Sequence, residues 1–153
     1  MTIYHATQQD LPDILALQKL SYQENAVRYN NPNILPLMQT LDDLVDESKT
    51  HIILKAVLND IIIGSVRACK KDDCAYIGRL VVHPDYQNQG IGRKLMAAIE
   101  QEMNTPVFRL FTGHLDDKNL SFYSKLGYVI YGEPEQVSPT LSFIHMEKIY
   151  YAL

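Results

Sequence analysis

The stretch VVHPDYQNQGIGRKLM, Val81–Met96, decides how this chain is read. It begins as an apolar strand, turns through His83-Pro84 into a polar loop, and opens a helix with Gly90, Gly92, Arg93 and Lys94. A helix start exposes unpaired N–H groups at the positive end of the macrodipole, so acidic side chains are the usual occupants. Two cations there leave an excess of positive potential that an anion from outside the chain would balance. Gly90 and Gly92 remove side chains where main-chain amides would approach that anion. This is a local recipe for holding a phosphate or diphosphate. The spacing Q-x-x-G-x-G, from Gln87 to Gly92, matches neither the G-x-G-x-x-G of a Rossmann turn nor the G-K-S/T ending of a P-loop. Taken alone, it is equally compatible with a plain tight turn.

Three β-branched runs precede this stretch or lead into it. HIILKAVLND and IIIGSVRACKK are separated by Asn59-Asp60, a hairpin signal, and CAYIGRLVVH follows KKDD. They predict an antiparallel meander, with Gly78 marking a bulge or a close approach. Downstream, the pattern predicts a helix over Gly90–Met103 with Ile91, Leu95, Met96 and Ile99 on one side. Strand VFRLFT, a short helix from Asp117 to Leu126 stopped by Gly127, strand YVIYG and strand LSFIHMEKIYY complete that half. The N-terminal part reads as strand Thr2–Ala6, a helix over Gln9–Leu20, a polar loop over Asn30–Pro36, and a second helix opened by the capping pattern TLDD at Thr40. The order β-α-α-β-β-β-α-β-α-β-β places the chain in the α/β (α+β) class with a mixed sheet, as one domain across residues 1–153.

Bulk properties narrow the partners. A net charge of −4 argues against a nucleic-acid binder, which normally carries a basic face. No apolar run approaches the ~18 residues of a membrane span, and the N-terminus lacks a secretory pattern. Cys69 and Cys74 flank KKDD and could face each other across two strands, but free thiols in a reducing cytoplasm are the better reading. No metal-ligand spacing is present. KIYYAL at the C-terminus suggests an edge strand for a homodimer.

The combination of GRLVVHPDYQNQGIGRKLM with NLSFYSKLGY further on resembles the GCN5-related N-acetyltransferase family. The resemblance is strongest from Tyr76 to Tyr131 and also fits the element order. It implies a mostly antiparallel central sheet with helices on both faces, acetyl-CoA as donor and an amine as acceptor. Leu80, Val81 and Val82 would line the pantetheine arm. The loop and helix start, Gln87, Asn88, Gln89, Gly90, Ile91, Gly92, Arg93 and Lys94, would receive the diphosphate. Asn119 and Tyr123 stand four residues apart and share a helix face. By similarity, Asn119 would bond the cofactor arm and Tyr123 would be catalytic, protonating the leaving thiolate. The family's third meander strand splays from its neighbour to make the thioester slot.

Some relatives place a glutamate base on the strand before the second motif, where this chain has FRLFTG with Phe111 at about that position. Glu24, His114 or a water relay are the candidates left. His83 reads as structural, and His5, His51 and His145 as surface or packing residues. The acceptor site is expected between Tyr22–Leu37, the strand carrying Arg79, and the loop Glu133–Thr140, the least regular parts of the chain. A CoA-binding sensor without turnover is the competing reading.

Overall fold

The computed structural model describes residues 1–150. Its elements are β1 (Thr2–His5), α1 (Leu11–Arg28), the single turn α2 (Leu35–Met38), α3 (Leu41–Ser48), β2 (Ile52–Leu58), β3 (Ile61–Lys71) and β4 (Cys74–Val82). These are followed by α4 (Ile91–Met103), β5 (Val107–Gly113), α5 (Asp117–Lys125), β6 (Val129–Ile130), β7 (Glu135–Ser138) and β8 (Leu141–Ile149). The strands form one mixed sheet in the order β1-β2-β3-β4-β5-β8-β6, with β7 sharing the outer edge of β8. Every pairing is antiparallel except β4 with β5.

The two faces of the sheet carry different helices. Leu95, Met96, Ile99 and Met103 of α4 pack with Ala56, Ile63, Val66, Ile77 and Phe108 in the larger core. Leu11, Ile14 and Leu15 of α1 meet Leu44 of α3 and Ile53 on the other face. The capping box is present at α3, where Thr40 Oγ1 accepts from Asp43 N and Asp43 Oδ2 accepts from Thr40 N. Asn59 and Asp60 both adopt positive φ, as the two-residue hairpin requires.

Several expectations change. α1 does not stop near Leu20 but continues to Arg28, because SYQENAVR is helix-compatible and its polar stripe Ser21, Tyr22, Asn25 and Arg28 faces a cleft rather than a core. Asn30, with φ 48°, ends the run. α2 and β7 were not expected. Leu35-Pro36 starts α2 with proline in its first turn, and β7 is held by pairing with β8 rather than by any apolar alternation of its own. The bulge in β4 falls one residue beyond Gly78, at Arg79, whose φ is 52°. Between the pairs Ser65–Val81 and Arg67–Gly78, β4 carries two residues against one on β3. β8 has β5 along one side and β6 with β7 on the other as far as Glu147, while Lys148 and Ile149 pair with β5 alone. The residues 151–153 of KIYYAL lie outside the described residues. Cys69 pairs with Tyr76 and Cys74 with Lys71, two positions out of register, and both thiols are free.

One polar group is deeply set between sheet and helices. Arg67 on β3 is 2% exposed. Its guanidinium donates to Glu47 Oε1 at 2.8 Å, Gln18 Oε1 at 3.0 Å and Gln39 Oε1 at 2.9 Å. Gln18 in turn donates to Pro36 O at 2.8 Å. One side chain therefore ties α1, the α2 turn and α3 to the sheet.

Gly113 at the end of β5 is required by a close approach. A Cβ there would stand 2.0 Å from the Tyr29 hydroxyl oxygen. That hydroxyl accepts from Leu115 N at 3.1 Å, and Thr140 Oγ1 donates to Tyr29 O, so Tyr29 fastens the end of α1 to two loops. Gly113→Ala therefore expels the Tyr29 ring. The expected loss is about 1–3 kcal/mol, seen as a lower denaturation midpoint in urea.

Candidate active site

The parallel ladder between β4 and β5 covers only the pairs Cys74–Val107, Ala75–Phe108 and Tyr76–Arg109. Beyond Tyr76 the strands part, and a cleft of about 620 Å³ opens beside β4. Its walls come from four places. β4 supplies Leu80, Val81 and Val82; the following loop and α4 supply Gln87, Asn88, Gly90, Ile91, Gly92 and Arg93. α5 and its cap supply Asp116, Asn119, Phe122 and Tyr123, and α1 supplies Ser21, Tyr22, Glu24, Asn25 and Arg28. Of the coenzyme-binding and catalytic positions put forward from sequence, Gln89 and Lys94 alone are not among the lining residues; both are exposed.

Strand alternation decides which amides face the gap. His83 N donates to Ile63 O at 2.8 Å, toward β3. Successive residues turn their N–H groups to opposite sides, so Val81 also points to β3, while Val82 and Leu80 point to the gap. Val82 O accepts there from Gln87 Nε2 at 3.4 Å. The amides that face the gap therefore belong to Leu80 and Val82 rather than to Val81.

At the mouth of the cleft, Asn88 has φ 63° and Gly90 φ 81°. These left-handed turns swing the chain into α4 with no side-chain cap and no acid in the first turn. Lys94 N is the first helical amide to find a carbonyl, Gly90 O at 3.1 Å; the amides from Gln87 to Arg93 donate to none among the described residues. Such a row of free donors at a helix start is an anion cradle. At Gly90 the backbone conformation requires glycine; at Gly92 a Cβ would make only ordinary contact, 3.4 Å from Phe122 Cζ. Gly90→Val is expected to weaken binding of a diphosphate-bearing ligand about tenfold by straining this turn, measurable by calorimetry.

Asp116 caps α5, accepting from Asn119 N at 3.0 Å, and lies 3.6 Å from Arg28. Asn119 Nδ2 donates to Thr112 Oγ1 at 3.3 Å, which fixes the amide and leaves its oxygen available. Tyr123 lies on the same face of α5, 8% exposed, with rings of Phe122 and Tyr128 at 5.2 and 6.0 Å. Burial, with added repulsion from Tyr22 and Asp116, pushes its phenol well above the ordinary tyrosine value. It therefore keeps its proton at neutral pH. Burial likewise raises Tyr22, while the positive charge of Arg79 opposes that rise.

The base candidates separate. Glu24 lines the cleft at its exposed rim, 3.5 Å from Arg28. His114 lies outside the lining, and its Nδ1 accepts from Ser142 N at 2.9 Å. A neutral ring accepting at Nδ1 carries its proton on Nε2 and has no free basic nitrogen. Phe111 is 46% exposed and stacks on Phe143 at 4.3 Å, offering no base. His83 caps its own turn, its Nδ1 accepting from Asp85 N at 3.1 Å. His5 pairs with Glu102 at 2.9 Å and His145 with Glu135 at 3.0 Å.

Sequence reasoning missed Asp116, Phe122 and Ser21, and anticipated the rest of the α1 wall only as part of the segment Tyr22–Leu37. The polar stripe at helical spacing from Ser21 to Arg28 was the available signal. Among the described residues no helix is long and apolar enough to cross a membrane, and no metal-ligating cluster is present.

Known proteins share this fold. PaiA N-acetyltransferase from Thermoplasma acidophilum, solved with coenzyme A, superposes with a TM-score of 0.75 at 20% identity, over 98% of this chain and 100% of its own. A putative streptothricin acetyltransferase from Bacillus anthracis str. Ames, solved with acetyl coenzyme A, is 29% identical with a TM-score of 0.61, over 67% of this chain and 64% of its own. In sequence, the uncharacterized N-acetyltransferase ycf52 of Gracilaria tenuistipitata var. liui is 35% identical over 69 residues, 44% of this chain and 38% of that protein. The homologous protein of Pyropia yezoensis matches over 45% of its length, so the chain spans less than half of the curated relatives it matches. The model of the acetyltransferase (GNAT) domain matches residues 18–150, and the chain belongs to that family.

Proposed function

We propose that the protein is an N-acetyltransferase that takes acetyl-CoA as donor and an amine as acceptor. The observation that carries this reading is the row of unpaired amides from Gln87 to Arg93, leading into a cleft that ends at Tyr123. The donor set fits the coenzyme. Free N–H groups and Arg93 suit a diphosphate, the gap-facing backbone of Leu80 and Val82 suits the amides of the arm, and the Asn119 oxygen suits a donor on that arm. The thioester supplies the activated acyl group.

The chain's own residues do the rest. Val82 N–H stands where negative charge would develop on a carbonyl oxygen in the gap. Tyr123, kept neutral by burial, holds the proton that the departing sulfur needs. Holding both reactants in one cleft supplies much of the acceleration. Glu24 at the rim accepts the amine's proton through water. Free Cys69 and Cys74 suit a cytoplasmic setting.

Thermal shift with acetyl-CoA, CoA and ATP tests the cradle, and thiol release across an amine panel tests the chemistry. Stabilisation by both coenzyme forms but not by ATP, with release for at least one amine, is expected. Binding without release from any amine would make the protein a coenzyme sensor; no preference over ATP would remove the coenzyme reading.

A further inference from the structure

Two buried side-chain polar atoms lack a hydrogen-bond partner among the described residues: Ser21 Oγ on α1 and Arg79 Nε on β4. α1 and β4 pack against each other; Ser21 and Tyr22 line the cleft, and Arg79 lies close enough to Tyr22 for its charge to act on the phenol. An unmet buried donor costs the full desolvation of the group, so such atoms call for a partner.

The charge account points the same way. Arg28, Arg67 and Arg109 each have a carboxylate within ion-pair distance, at 3.6, 2.8 and 3.2 Å. Arg79 has none among the described residues, although it is partly buried; burial lowers the nearby Arg67 guanidinium and the charge of Arg79 adds to that. Its backbone is also in the left-handed region, φ 52°, at the bulge that starts the opening of β4. A bulky residue held there is strained, and strain of this kind is retained where a side chain must be aimed. Arg79 Nε can only donate and the Ser21 hydroxyl can donate as well, so one acceptor serves both. One guanidinium with one hydroxyl matches the two oxygens of a monoanion, whereas a phosphate dianion calls for more positive charge.

We propose that Arg79, assisted by Ser21, binds a carboxylate carried by the amine acceptor, so that the acceptor class is amino acids and their short derivatives. Arg79 immediately precedes the cleft-lining residues Leu80–Val82. A carboxylate held there leaves the amine of the same small molecule close to the gap. This inference rests on the acetyltransferase reading and adds the acceptor's chemistry to it.

The test compares kcat/KM for the twenty amino acids with that for their C-terminal amides, in the native chain, Arg79→Met and Arg79→Lys. Methionine keeps the stem and the same backbone demand while relieving repulsion on Arg67, so the variant is expected to melt no lower than the native chain. The native preference for carboxylate over amide is expected to be at least about tenfold, the scale of one charge-assisted hydrogen bond. It should fall toward one in Arg79→Met and be partly retained in Arg79→Lys. A second arm needs no turnover: the CoA-bound protein is titrated with N-acetyl amino acids and with N-acetyl amino amides, and should bind the former only, with binding lost in Arg79→Met. Equal use of amides, a preference that survives Arg79→Met, or no carboxylate binding in the second arm overturns the proposal and leaves a water as the partner of Ser21 and Arg79. Failure of every amine to release thiol would sink the acetyltransferase reading instead, and the binding arm then decides the carboxylate site by itself.

Discussion

Tyr123→Phe is expected to lower kcat by about 100-fold, the usual scale for removing a general acid, without weakening coenzyme binding. The ring is held between Phe122 and Tyr128 in the main core, so phenylalanine keeps the packing and removes only the hydroxyl. Because burial keeps the phenol protonated well into the alkaline range, the native rate should show no alkaline fall from Tyr123 near its ordinary value of 10.0. Thiol release followed by stopped flow checks the rate, and calorimetry with CoA checks binding. A variant with native kcat would show that the thiolate leaves without help from Tyr123.

The second large effect is on stability. Arg67→Met leaves Glu47, Gln18 and Gln39 without their shared donor in a partly closed space. Breaking a buried pair from one side costs about 3–5 kcal/mol, so a marked loss in urea denaturation is expected. Adding Glu47→Leu to that variant should recover part of it, because the remaining charge is then gone. The pH dependence follows from Glu47. Burial presses its carboxyl upward, but the charge of Arg67 and the hydrogen bonds from Gln39 and Arg67 outweigh that and hold it below 4.5. A depressed carboxyl contributes stability that is complete above its unfolded value and is lost as pH falls through the folded one. The gap between native chain and Arg67→Met should therefore be widest near neutrality and narrow as pH falls through the depressed folded value of Glu47, below 4.5.

The meander, α4 and α5 were legible because their signals are local. Asn59-Asp60 specifies its own turn, and Ile91, Leu95, Met96 and Ile99 repeat at helical spacing. The cradle was legible for the same reason: Gly90, Gly92 and the absent acids act within a few residues. What escaped depends on distant parts of the chain. β7 exists because β8 offers it an edge, and its sequence EQVS has no strand pattern. The end of α1 looked like a loop because its polar stripe serves a cleft that forms only when β4 and α5 are in place. Asp116 is an ordinary helix cap until Arg28 arrives from α1. The bulge was foreseen at Gly78 because glycine advertises such irregularities, yet the chain places a strained arginine there instead.

The tie between β4 and β5 gives the sheet an unusual mechanical character. Three parallel pairs at one end are its central seam, and past Tyr76 its left and right leaves lie apart, bridged by α1 through Arg28 and Tyr29. An extended occupant whose amides meet Leu80 and Val82 would act as a surrogate strand and stitch the leaves together. Stiffness of the whole molecule would then report occupancy, and the Val82 amide would exchange its hydrogen with solvent more slowly whenever the gap is filled.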